Sequence, residues 1–268
     1  MISNHNLTKY SAQTGARRSF AAKLAGAFAM LALLAVAGLQ AAPQSSSQSA
    51  ATHPVARKAP ATKPAPTSVS APVKVYGTKG APITLEVFTD YECPICRNFY
   101  EGTLRYVIND YVAAGKVYII HHDFPLQMHP YSGIAARWAN AAAEVGQFGV
   151  AESALYDNQT AWTNDGSIAK YIAQAMPSSD FARVAAIMKD CTTPAPQVTS
   201  PGIDPLAKSG HACPVDQYLA QDIEAGYHDN VNATPTYIIY HNGQKVTQAS
   251  SYVSWPILKQ FLDSVLAQ

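Results

Sequence analysis

"DYECPICRNFY", residues 90–100, decides how the chain is read. Cys93 and Cys96 are separated by Pro94-Ile95, just after an apolar run and just before a stretch with helical patterning. A C-x-x-C pair can hold a metal, staple a loop or exchange electrons, so its surroundings must discriminate. A structural zinc needs four ligands, normally a second pair at similar spacing. No second C-x-x-C exists, and His121-His122 fall on a predicted strand, where neighbours point to opposite faces. As an inert staple, a three-residue span closes little loop. No metal and no cofactor is expected.

Around the motif, "PITLEVF" (82–88) is short and β-rich and reads as a strand. From Pro94 onward Phe99, Leu104, Val107, Ile108 and Tyr111 recur at helical spacing. "KVYIIHH" (116–122) is a second strand, ended by Phe124-Pro125. A helical region follows from about Pro130 to Asp190, with an N-cap at Asp165 or Ser167. "TYIIYHNGQKV" (236–246) is a hairpin whose Asn-Gly marks the turn. From Ser254 a terminal helix places Ile257, Leu258, Phe261, Leu262, Val265 and Leu266 on one face. The first two strands and their helix form a βαβ unit and should be parallel; the hairpin adds antiparallel strands. The chain is therefore an α/β protein with its cysteine pair at the first strand-to-helix junction.

Charge is unevenly spread. Residues 1–72 hold seven basic side chains and no acid, and residues 73–268 carry 12 basic and 18 acidic ones. An acidic body excludes nucleic acid as the expected partner, which asks for a basic stripe. Residues 1–42 read as a signal peptide or N-terminal signal anchor. Four basic residues precede an apolar stretch of about 16, short for a bilayer span of about 20. Ala35-Val36-Ala37 and Ala41-Ala42 offer cleavage sites. "ARRSFAAK" (16–23) resembles a twin-arginine signal but lacks leucine after Phe20, so both export routes stay open. Residues 43–72, rich in Pro, Ala and Ser, read as a disordered linker before a domain at 73–268. Export places the protein in the periplasm or another extracytoplasmic space, tethered to the membrane if the signal is not cleaved. Disulfides persist in such compartments.

C-x-x-C beside a βαβ pattern reads as thioredoxin-like. At a helix start, residues i and i+3 share a face, so the two sulfurs can bond. Pro94 suits the first turn, where its missing N–H costs nothing. Cys93 then faces free backbone N–H groups, which favour a thiolate. It should be the exposed, reactive sulfur, and Cys96 the shielded one.

"FTDYECPIC", "HHDFPL" and "NATPTYIIY" together resemble the DsbA-like branch of the thioredoxin superfamily, over roughly residues 73–268. The resemblance implies a thioredoxin-like fold (βαβ … ββα) with a helical insertion after the second strand, at about 128–228. It implies a thiol:disulfide oxidoreductase with Cys93 as the attacked and leaving sulfur and Cys96 as its partner. Thr234-Pro235 would be the substrate-facing loop with a cis-proline, alongside Pro94 and Ile95. Two departures stand out. DsbA has histidine within its C-x-x-C, whereas Pro94-Ile95 offers no imidazole. Many relatives carry a buried acid six residues before the first cysteine, and Val87 occupies that place. Glu86 and Asp90 are weaker candidates for moving the proton of Cys96.

Cys191 and Cys213 enclose a loop with four prolines and few apolar anchors, which reads as needing a structural disulfide. Closing a ring of about 23 residues contributes on the order of 3 kcal/mol by loop entropy. The expected activity is exchange of a Cys93-Cys96 disulfide with cysteines of reduced or misoxidised secreted proteins, as an oxidant. A membrane protein that reoxidises the pair is the expected electron partner. The linker is too short and Pro-rich for a folded dimerisation domain, so a monomer is expected. The alternatives are an isomerase or reductase of the same fold, a redox-inert peptide-binding or chaperone-like module, and a metal carrier using the dithiol.

Overall fold

The computed structural model describes residues 74–200, 204–207 and 212–268. The expected leader (1–42) and linker (43–72) lie outside the described residues. Five strands form one mixed sheet: β1 (Val75–Tyr76), β2 (Ile83–Thr89), β3 (Val117–Asp123), β4 (Thr236–His241) and β5 (Gln244–Ser250). Their order is β1-β3-β2-β4-β5, with β2 parallel to β3 and every other pair antiparallel. The two strands read as 82–88 and 116–122 are each displaced by one residue. β1 carries no legible pattern. It is two residues long and exists because its backbone pairs with the edge of β3. Between β4 and β5, Asn242 (φ 49°) and Gly243 (φ 80°) both adopt the left-handed conformation of a two-residue hairpin loop.

The helix after β2 is not uniform, although the sequence predicts a plain α-helix. α1 (Pro94–Phe99) runs into a π-helical turn (Tyr100–Leu104), then α2 (Arg105–Val107), then a second π turn (Ile108–Val112). Phe99 and Leu104 are five residues apart and both buried. A turn bonded i to i+5 keeps residues of that spacing on one side. α9 (Trp255–Leu266) has Ser254 at its N-cap position and buries Leu258, Leu262 and Val265. Ile257, expected on the same face, is exposed. It lies one residue, about 100°, around the helix from Leu258.

The sheet separates two layers. On one face Tyr237 of β4, beside Val87, stacks on Phe99 of α1 at 5.7 Å, and Tyr111 packs edge-on to Trp255 of α9. On the other, Phe88 stacks on His122 and meets Phe124 edge-on; Phe124 packs against Tyr227 of α8 (Asp216–His228). Gly226 of α8 permits this approach, since a Cβ there would meet a Phe124 ring carbon at 2.4 Å.

The insertion comprises α3 (Ser132–Glu144), α4 (Phe148–Asp157), α5 (Gln159–Asp165), α6 (Ile168–Ala175), α7 (Ser178–Met188) and α8. Its core is Leu155, Trp162, Ile168, Ile172 and Val184, set against the alanines of α3, whose small side chains allow close helix packing. Ser167 takes the N-cap position of α6 without a side-chain capping bond, and Asp165 accepts a hydrogen bond from its N–H at 2.9 Å. Cys191 and Cys213 are joined by a disulfide. Beside it, the buried Arg137 guanidinium grips Asp216 through two bonds of 2.7 Å and donates to the carbonyls of Thr193 and Pro194. One side chain thus ties α3, the disulfide loop and α8.

Breaking a buried charge pair from one side leaves the other charge uncompensated. Arg137→Met should therefore destabilise the protein by about 3–5 kcal/mol, measured by urea denaturation. Arg137→Met combined with Asp216→Leu should recover most of that loss.

Candidate functional site

Cys93 is the N-cap of α1, with extended backbone (φ −71°, ψ 120°), and Pro94 is the first helical residue. Its own N–H donates to the Asp90 carbonyl at 3.1 Å, and its carbonyl accepts the first helical bond from Arg97 at 3.2 Å. The sulfur therefore sits where a capping oxygen normally would. The Cys96 thiol donates to it, the N–H groups of Cys96 and Ile95 add to that, and a contact with Thr234 contributes. Against the opposing effect of burial, these pull the Cys93 thiol down to about 6. Cys96 has the opposite setting. It is fully enclosed, and burial, together with its bond to Cys93, pushes its thiol well above the ordinary value. The Asp90 N–H points at the Cys96 sulfur from 3.5 Å.

Opposite the pair lies the Thr234-Pro235 peptide bond, which is cis. As a thiol, Cys93 donates to the Thr234 carbonyl at 3.6 Å. Pro94 and Ile95 are both exposed. Ile95 opens onto a groove of about 490 Å³ lined by Asn98, Glu101, Gly102 and Tyr252. Cys93 itself is more covered than expected, at 7 % exposure against none for Cys96. The cover comes from the Thr234 loop and from the insertion. Gln159 of α5 donates to the carbonyls of Tyr91 at 2.7 Å and Cys93 at 3.0 Å, pressing α5 onto the motif.

The two acids named from the sequence are placed very differently. Glu86 does not reach Cys96. It lies on the face of β2 opposite α1, with His122 at 4.0 Å, and burial raises its carboxyl. Alternation along β2 sends Val87 toward α1 and Glu86 away. Asp90 is next to the site, with a buried side chain that accepts from the N–H of Glu92 at 2.8 Å, the N–H of Leu126 at 2.8 Å and His129 Nδ1 at 2.7 Å. Glu92 in turn accepts from the Tyr131 N–H at 2.7 Å. The two carboxylates lace the loop before Cys93 to the loop after β3.

Beneath lies a buried polar layer that sequence reading missed. His121 faces α1, with Nε2 3.0 Å from Thr89 Oγ1 and 3.3 Å from the Tyr91 hydroxyl. Its Nδ1 is 2.9 Å from Glu152 of α4, which also accepts from Tyr76. Burial alone would lower the His121 pKa, but Glu152 and Asp123 outweigh it and raise it to about 9. Lys74 pairs with Asp123 and Asp222 and, against burial, holds Asp123 well below the carboxylate range. Among the described residues no cluster of His, Cys, Asp and Glu is arranged to hold a metal ion. The signal for the layer was present in β3, where His121 and Asp123 take inward positions after the apolar Val117 and Ile119. Gln159, Glu152 and His129 had no comparable mark.

A family model described as Thioredoxin matches residues 70–260. The chain belongs to the thioredoxin family. Its fold is that of the DsbA-like members, with helices inserted into the thioredoxin core. The structure is similar to alpha-DsbA1 of Wolbachia pipientis, in a cysteine-substituted variant, with TM-score 0.54 and 16 % identity, covering 72 % of this chain and 90 % of that one. It is also similar to the catalytic domain of Proteus mirabilis ScsC, with TM-score 0.50 and 20 % identity, covering 75 % and 93 %. Among curated proteins, an Na(+)/H(+) antiporter NhaA 3 of Salinispora tropica is 38 % identical over 74 residues, 28 % of this chain. The match spans 11 % of that antiporter's length.

Two pH dependences follow from this arrangement. In the reduced protein, alkylation should modify Cys93 and spare Cys96, with a rate that rises along a titration centred at about 6; rates at several pH values with peptide mapping check it. In the oxidised protein neither of these cysteines titrates, and His121 contributes a separate dependence. Because folding raises the His121 pKa, its stabilisation is full below about 6.5 and lost as pH rises through about 9. Denaturation between those values should show this alkaline loss, and Glu152→Gln should shrink it.

Proposed function

We propose that the protein is an exported thiol:disulfide oxidoreductase that oxidises cysteines of secreted proteins through the Cys93-Cys96 disulfide. The observation that carries this reading is the split between the two thiols: Cys93 is drawn down to about 6 while Cys96 is driven well above its ordinary value, three residues apart on one helix. A metal pair or an inert staple has no use for that asymmetry.

In the oxidised enzyme a substrate thiolate attacks the Cys93 sulfur. The Cys93–Cys96 bond breaks, a mixed disulfide forms on Cys93, and Cys96 leaves as a thiolate that takes up a proton. A second substrate thiolate attacks the substrate sulfur of the mixed disulfide. Cys93 departs with the electron pair, and the substrate carries away the new disulfide. The caps on Cys93 make it a good leaving group, which speeds the second step and favours the oxidising direction. Thr234, Pro235, Pro94 and Ile95 form the substrate-facing rim, and the groove beside Ile95 receives side chains flanking the substrate cysteine. Pro235 has no N–H to donate, which leaves the loop backbone open to an extended chain. A membrane redox protein returns the dithiol to the disulfide, and the leader and linker place the domain outside the cytoplasm.

The test is oxidation of a reduced, unfolded model substrate by the full chain in its disulfide form. Stoichiometric oxidation is expected, with loss in Cys93→Ser. Cys96→Ser, which has no disulfide to give, should accumulate a mixed disulfide when offered a disulfide-bearing peptide, the Cys93 thiolate attacking one peptide sulfur while the other leaves as a thiolate. Full activity in Cys93→Ser would end this reading, and a protein that only reduces would reverse its direction.

A further inference from the structure

Asp90 and His129 come from different loops and meet beside the dithiol. The Asp90 side chain is buried and holds His129 Nδ1 at 2.7 Å; the His129 ring is mostly covered. The same residue touches both cysteines through its backbone: its carbonyl accepts from the Cys93 N–H at 3.1 Å, and its N–H points at the Cys96 sulfur at 3.5 Å. A buried carboxylate in this position repels a nearby thiolate unless a cation answers it. Pro94-Ile95 supply none.

We propose that Asp90 and His129 are positioning residues for the exchange reaction, Asp90 fixing the His129 imidazolium as the cationic partner of the Cys93 thiolate. The charged and titratable groups that act most on His129 are Asp90 and Glu92 from the loop before the motif and Cys93 from the start of α1. The hydrogen bond to Asp90 and the negative charge on that side raise the His129 pKa against the effect of burial, with Cys93 among the causes. Coupling runs both ways: a sulfur that favours the imidazolium is itself favoured as thiolate by it. Two further bonds to the Asp90 carboxylate, from Glu92 and Leu126, prevent it from following His129 away. This inference rests on the proposed exchange at Cys93.

The experiment is titration of the Cys93 thiolate by its ultraviolet absorbance in reduced full-chain protein, with far-ultraviolet dichroism as a check of folding. Wild type should titrate at about 6. A partly screened opposite charge shifts a pKa by a fraction of a unit, so His129→Gln should reduce the thiolate fraction at about pH 5 roughly two- to threefold. His129→Lys, which keeps the charge, should recover much of it. The glutathione equilibrium of His129→Gln should move toward the disulfide form. A folded His129→Gln with wild-type titration overturns the proposal, as does equal loss in His129→Lys. If His129→Gln does not fold, the His129→Lys titration decides alone, an ordinary thiol there being the negative result. A wild-type protein that itself titrates near about 8.5 contradicts the exchange reading instead, so the two failures are distinguishable.

Discussion

The site depends on a negative sulfur being held where a helix needs a cap. The start of α1 leaves backbone N–H groups without helical partners, and Cys93 places its side chain over them. Proline follows at the one position where a missing N–H is harmless. Cys96 one turn on is enclosed by the sheet and the insertion and so stays a thiol. The same three-residue step therefore produces one sulfur that leaves easily and one that holds its proton, which is the polarity a dithiol needs to pass a disulfide in steps.

The insertion is more than a lid on the thioredoxin core. α5 reaches the motif through Gln159 and fixes the backbone of Tyr91 and Cys93. α4 sends Glu152 beneath the sheet end to pair with His121, and the loop before α3 delivers His129 to Asp90. Each contact trades against packing. A buried ion pair is weak in net stability yet costly to break from one side, so these groups fix geometry more than they add free energy. The Arg137–Asp216 pair does the same for the far end, tying the disulfide loop to α3 and α8.

Much of the fold was legible because its signals are local. The β-rich runs, the Asn-Gly turn and the 3.6-residue period each reflect constraints within a few neighbours. β1 was missed because two residues carry no period, and the π turns because a spacing of five looks like noise in a helical pattern. The position of the dithiol could be read for the same local reason. Its electrostatic surroundings could not: Asp90 meets residues 36 and 39 positions away, and Gln159 meets residues 66 and 68 positions away. Glu86 was a candidate only on proximity in sequence, and strand alternation places it behind the sheet.

Folding stabilises the reduced state through the Cys93 thiolate. A thiol whose pKa falls on folding adds stability that is present toward alkaline pH and lost as pH drops through about 6. The most direct measurement is the difference in unfolding free energy between the reduced and oxidised proteins from about pH 5 to about pH 8. The difference should move steadily in favour of the reduced form as pH rises. A difference that does not change with pH would mean that folding leaves the Cys93 thiol an ordinary one.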